Sequence, residues 1–236
     1  QSTIINRFVK KKILIIEPHS DDAIIGAGGY FLKFKEKLDF SFCLITASTL
    51  KLNHGKVTRE VRIKEYKDYV DFFSGKFITK YNDNENYLPL DEESKLDLYS
   101  KAKLINIIEN IISETNPDIL MVTGPSFHQD HQMVYESTIA ATRPTRALSV
   151  KEILIMENPT YVHTPYENFF KPNLYIELND DLIDKKCQIF EDLFPSQYRK
   201  TGNYLSKDGI KNHAAYRGIE ARAKYAEAFF QFSKKI

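Results

Sequence analysis

Ile13-Leu14-Ile15-Ile16-Glu17-Pro18-His19-Ser20-Asp21-Asp22 passes from four consecutive apolar residues directly into acids and a histidine. An unbroken apolar run of this length is what a central strand buried on both faces requires. Ala23 to Lys37 then repeats apolar residues at helical spacing, with acids placed where a helix N-terminus favours them. Strand, polar turn and helix make a βα unit. In an open α/β sheet, the loop beyond the carboxyl end of a strand is where ligands bind.

The same alternation continues outward. Strands are expected at Phe40 to Thr46, Lys76 to Tyr81, Ile119 to Thr123, Glu152 to Met156 and Leu174 to Leu178, and helices at Val57 to Phe73, Tyr99 to Ile112, Asp181 to Leu193 and His213 to Phe232. Short apolar runs alternating with longer amphipathic stretches predict an α/β fold. The expectation is a single Rossmann-like domain over residues 1–236, with a mostly parallel sheet and helices on both faces. Asn82 to Asn86 reads as a loop, and Arg199 to Asn212 as an irregular connection.

Composition removes several functions. Lys plus Arg number 33 against 32 for Asp plus Glu, so no charge excess draws the chain to nucleic acid or an anionic membrane. No apolar run reaches bilayer-spanning length. The sequence lacks a signal-peptide apolar core, and a cytoplasmic location is the default, since a signal already removed leaves no trace. Cys43 and Cys187 are the only cysteines, which fits two buried thiols and no disulfide framework. The expected partner is a small molecule, and nothing in the sequence opposes a homo-oligomer.

A second cluster, His128-Gln129-Asp130-His131, follows the strand at Ile119 to Thr123 after a short link. Parallel strands would bring it to the sheet edge that carries His19, Asp21 and Asp22. Imidazole with carboxylate suits zinc, and three protein ligands leave a fourth position for water, the mark of a catalytic site. Two acids with a histidine exceed what capping a helix needs. Gly26, Gly28 and Gly29 do not form the G-x-G-x-x-G fingerprint, and Thr46-Ala47-Ser48-Thr49 offers no ribose-binding acid, which argues against a dinucleotide enzyme.

These motifs resemble the LmbE-like or PIG-L N-deacetylases, whose signatures are His-Pro-Asp-Asp-Glu and His-x-Asp-His. Here the first reads His19-Ser20-Asp21-Asp22-Ala23 and the second is matched in full. The likeness extends through Gly26-Ala27-Gly28-Gly29, Arg62 with Glu65, Ser196-Gln197 and Ala226-Glu227-Ala228-Phe229. The resemblance implies Zn2+ held by His19, Asp22 and His131, with Asp21 as general base for the water held there. It further implies that His128 stabilises the oxyanion or protonates the leaving amine, and that Asp130 fixes an imidazole tautomer. Arg62 is the candidate for substrate contact, with Glu65 fixing it, although an exposed i,i+3 ion pair explains those two residues equally well. The implied reaction removes the N-acetyl group from an N-acetylglucosamine-type sugar or conjugate. The competing reading is a non-catalytic Rossmann-like module that binds a sugar or nucleotide.

Ser20 in place of proline loosens a turn without removing chemistry. Ala23 in place of glutamate touches neither a ligand nor the base, and leaves substrate contacts there open. His54, His163 and His213 lie outside both clusters and read as surface or packing residues. Most of the 14 Tyr and 16 Phe residues belong to the core, and no sugar-stacking residue is assigned among them, Tyr161 included.

Overall fold

A computed structural model describes residues 9–52, 55–78, 88–144, 149–159 and 170–235. Its strands are β1 (Lys11–Glu17), β2 (Leu38–Leu44), β3 (Leu50–Leu52), β4 (Gly55–Val57), β5 (Lys76–Ile78), β6 (Ile119–Thr123), β7 (Glu152–Met156), β8 (Leu174–Leu178) and β9 (Tyr225–Lys234). Its α-helices are α1 (Asp22–Phe34), α2 (Arg59–Phe72), α3 (Lys101–Thr115), α4 (Gln129–Ala141), α5 (Asp180–Leu193) and α6 (Lys207–Ala221). The expected positions 79–81, the loop Asn82 to Asn86, and His54, Tyr161 and His163 lie outside the described residues.

Seven strands form one sheet in the order β5-β2-β1-β6-β7-β9-β8, and β3 pairs with β4 in a separate small hairpin. The pairs β5–β2, β2–β1, β1–β6 and β6–β7 are parallel, whereas β9 runs antiparallel to both β7 and β8. Alternation along each strand divides the core in two. Ile13, Ile15, Phe40, Phe42, Met121 and Leu154 face a cluster shared with α1, α2, α5 and α6. Leu14, Ile16, Cys43, Leu120, Val122 and Ile155 face another, shared with α3 and α4. Helices therefore cover both faces of a mostly parallel sheet, as the apolar runs predict.

The chain leaves β1 first toward β2 and later returns to β6 on its other side. That reversal makes the carboxyl ends of β1 and β6 the switch point, where diverging loops open a crevice. Both polar clusters follow these two strands.

Two expectations need correction. The helix expected from His213 to Phe232 ends at Ala221, and Tyr225–Lys234 is a strand inserted between β7 and β8. Arg222 stops the helix in the left-handed conformation (φ 59°), and the chain doubles back so closely that a Cβ on Gly218 would lie 2.6 Å from the Lys224 carbonyl oxygen. Pairing on both edges then outweighs the helical preference of Ala-Glu-Ala. The stretch expected to be irregular up to Asn212 becomes helical from Lys207, where the Ser206 side chain accepts from the Gly209 amide. The helix α4 and the β3–β4 hairpin are further elements not anticipated.

Glu227 on β9 shows why its position matters. Its carboxylate is buried and accepts from the Gly29 and Tyr30 amides at 2.7 and 2.6 Å and from Lys186 Nζ at 2.7 Å. Lys186 also donates to the Ile25 carbonyl at 2.5 Å. An ion pair from β9 and α5 is thus wedged into the hydrogen-bond ladder of α1, the helix whose first residue is Asp22. Glu227→Ala leaves Lys186 as an uncompensated buried charge and should cost about 3–5 kcal/mol in urea unfolding. A loss below about 1 kcal/mol, the range of an exposed ion pair, would contradict this arrangement.

Candidate metal centre

The loop after β1 is tied down before it turns. Ile45 and Thr46 amides donate to the Glu17 and Pro18 carbonyls at 3.0 Å each, and Thr46 Oγ1 adds a bond to Pro18. The Glu17 side chain is fully buried, accepting from Tyr66 Oη at 2.5 Å and from the Ala23 amide at 2.9 Å. It thereby links β1, α2 and the first turn of α1. Burial raises its pKa despite those two bonds. The Asp22 side chain turns back to accept from the His19 amide at 2.9 Å.

The loop after β6 meets it. His128 caps α4, its Nδ1 accepting from the Asp130 amide at 3.2 Å. His19 Nε2 bonds Asp130 Oδ2 at 2.9 Å, and Asp130 also accepts from the Ser94 and Leu96 amides at 2.6 and 3.1 Å. The other His19 nitrogen, Nδ1, lies 3.1 Å from His131 Nε2 and 3.4 Å from Asp22 Oδ2. Asp22 Oδ1 lies 3.4 Å from the same His131 nitrogen and accepts from Asn158 Nδ2 at 2.8 Å. Ser126 Oγ bonds His131 Nδ1 at 2.8 Å.

These separations fit one metal ion. Donor atoms 2.0–2.2 Å from a tetrahedral zinc are about 3.3–3.6 Å apart; His19 Nδ1 and His131 Nε2 stand 3.1 Å apart, and Asp22 offers Oδ2 3.4 Å from the first and Oδ1 3.4 Å from the second. The outward nitrogens of both rings are already engaged by Asp130 and Ser126, the way ligand histidines are usually oriented. His128 shares the cluster: one ligand-capable nitrogen each of His19, His128 and His131 lie within 4.8 Å of one another, and its ring centroid is 4.6 Å from that of His19.

Charge is crowded here. Burial alone would discourage a charged His19, yet Asp130 and then Asp22 outweigh it and raise the imidazole to about 10. Burial, reinforced by His19 and His128 against the pull of Asp22, lowers His131 to about 4. Asp22 resists burial through His131 and His19 and falls to about 2. Burial and the Asp22 charge lift Asp21 to about 6, with Arg62 and His19 pulling the other way. A dication among these groups would draw Asp21 back down.

Arg62 is 1% exposed, which excludes the surface ion pair as its explanation. Glu65 does not fix it. Glu65 instead accepts from the Ser196 amide and Oγ, whereas Arg62 donates to the Ser48 carbonyl at 2.8 Å and pairs with Glu93. Arg62 Nε has no hydrogen-bond partner among the described residues. Sequence reasoning passed over Glu17, Glu93, Ser126 and Asn158. Glu17 and Asn158 carried a signal, being polar residues at or just past the ends of buried strands. Glu93 lies between two short 3-10 turns and carried none.

A proton on His19 must leave before a metal can use Nδ1 with Nε2 bonded to Asp130. Calorimetry in buffers of different ionisation enthalpy should therefore find about one proton released per zinc bound at pH 7, with affinity rising toward pH 10. Binding without proton release would contradict the raised His19 pKa.

The model of the PIG-L family, described as GlcNAc-PI de-N-acetylase, matches residues 14–142. Diacetylchitobiose deacetylase of Thermococcus kodakarensis is 23% identical over 233 residues, covering 92% of this chain and 81% of its own. The N,N'-diacetylchitobiose deacetylase structure from Pyrococcus horikoshii superposes with a TM-score of 0.62 at 18% identity, covering 98% of this chain and 87% of that one. A zinc-inhibited teicoplanin deacetylase, Orf2, superposes at 0.67 with 15% identity, covering 93% and 97%. The match to the family model takes in both polar clusters and the strands that present them, so the chain belongs to the PIG-L family.

Proposed function

We propose that this chain is a metal-dependent amidohydrolase that removes the N-acetyl group from an N-acetylglucosamine-type sugar or sugar conjugate. The observation that carries the reading is the convergence of His19 Nδ1, His131 Nε2 and the Asp22 carboxylate at 3.1–3.4 Å, with Asp21 next to Asp22 in the chain. The family match and the deacetylases similar to this chain support the reaction class.

Zinc, when bound, supplies a Lewis acid that polarises the acetamide carbonyl and makes water more acidic. Asp21 takes the proton from the attacking water, since its carboxylate neighbours the metal ligands and is the acid of the pair not used in binding. Burial and Asp22 raise its pKa and a bound dication would oppose that rise, so its carboxylate is ionised and able to accept a proton at neutral pH. Burial and His19 keep His128 below its usual pKa. With Nδ1 accepting at the helix cap, its Nε2 is the atom assigned to stabilise the oxyanion or deliver a proton to the departing amine. The carbonyl carbon gains the water oxygen, the C–N bond breaks, and acetate and the free amino sugar leave. Asp130 holds the His19 ring so that Nδ1 points inward. Arg62 acts on Asp21 through its positive charge, and contact with substrate would require its buried Nε to be uncovered.

Asp21→Asn should keep its zinc yet lose about 10²–10⁴-fold in turnover on an N-acetylglucosamine conjugate. Turnover within a factor of two of the parent enzyme would remove Asp21 from the role of base. Elemental analysis separates the ligands from the neighbour: Asp22→Ala and His131→Ala should lose zinc, and His128→Ala should retain it. The opposite pattern at residues 22 and 128 would assign a three-histidine site.

A further inference from the structure

Lys11, Leu38, Ile119, Glu152 and Leu174 are the first residues of β1, β2, β6, β7 and β8, and together they border a groove. It lies at the amino edge of the parallel strands, opposite the metal centre, since β1 separates Lys11 from Glu17 by roughly 20 Å. Its volume is about 800 Å3, within the range of about 300–1,000 Å3 that small-molecule sites occupy. The sheet face under α1 forms the floor, and Tyr30 and Phe34 near the end of α1 form a wall. From β2 to β8 the groove crosses five strand spacings, roughly 24 Å.

Its two ends differ. Lys10, Lys11 and Lys37 line the end at β1 and β2, where all three are exposed and make no ion pair among the described residues. Glu36 is the acid that lines this end, so positive charge exceeds negative there. Ile119, Leu154, Leu174 and Ile176 carry the floor onward to β8, the last strand of the sheet. The polar residues along that stretch satisfy one another: the Glu152 carboxylate lies 3.3 Å from Lys234 Nζ and accepts from Gln231 Nε2 at 2.6 Å. A long apolar floor thus starts from three unpaired lysines.

We propose that this groove binds a long-chain carboxylate, with the anionic head among Lys10, Lys11 and Lys37 and the tail laid over the apolar floor toward β8. The lysines supply charge-assisted hydrogen bonds to the head, and each methylene that the floor removes from water adds to binding. Backbone amides and carbonyls of the floor are taken up by the strand ladders, so a peptide would find no main-chain partners there, whereas an alkyl chain needs none. A small inorganic anion would leave the apolar stretch uncovered, and an uncharged amphiphile would leave the lysines unpaired. The groove shares no residue with the metal centre, and its occupancy stands apart from the deacetylase reading.

Calorimetric titration of the full chain with dodecanoate, below its micellar concentration, should find one site per chain. Dodecyl maltoside and butyrate should each bind at least about tenfold more weakly. Ile176→Asp at the apolar end, and Lys11→Glu combined with Lys37→Glu at the basic end, should each weaken dodecanoate about tenfold. Urea unfolding establishes that the variants are folded; if Ile176→Asp is not, the lysine pair decides alone. No binding, equal affinity for the uncharged amphiphile, affinity unmoved by the lysine pair, or attachment to anionic phosphatidylglycerol vesicles without binding of monomeric dodecanoate would overturn the proposal. So would an affinity about tenfold higher in Phe8→Asp, which would assign the groove to the residues before Val9.

Discussion

The hydrogen bond between His19 Nε2 and Asp130 Oδ2 joins groups 111 residues apart and sets the direction of everything around it. It exists because β1 and β6 are parallel neighbours at the point where the sheet reverses its strand order. With Nε2 committed outward, Nδ1 faces His131 and Asp22. Asn158 and Ser126 then restrain the other two donors from β7 and from the β6 loop. Loops after three neighbouring parallel strands, β1, β6 and β7, thus converge on one site.

Such convergence is costly without a cation. Glu17, Asp22, Asp130 and Glu157 are all buried near the carboxyl edge of the sheet, and each isolated charge would be expensive to desolvate. The fold answers with local partners: Tyr66 and an amide for Glu17, two amides and His19 for Asp130, Arg217 and His213 for Glu157. The Asp22 carboxylate and His131 Nε2 converge with His19 Nδ1 on a shared centre, and a dication there would satisfy them together.

Much of this was legible in the sequence because it followed strong local rules. Apolar runs at Ile13 to Ile16 and Ile119 to Thr123 marked the strands, and the polar residues just beyond them marked the switch point. The glycines of α1 read as packing devices, and a Cβ on Gly26 would indeed lie 2.5 Å from the Glu157 carbonyl oxygen. What escaped depended on distant partners. Tyr225–Lys234 opens with Ala-Glu-Ala, which reads as helix, and pairing with β7 and β8 makes it a strand. Arg62 and Glu65 sit three apart on one helix and invite pairing, yet each finds a better partner across space in Glu93 and Ser196. Spacing reveals which residues can meet, and burial decides which do.

Crystallographic anomalous scattering at the zinc edge tests the account most directly. It predicts one strong peak about 2.0–2.2 Å from His19 Nδ1, His131 Nε2 and an Asp22 oxygen, with His128 outside bonding distance. A peak coordinated by all three histidines without Asp22, or none in zinc-replete crystals, would contradict it.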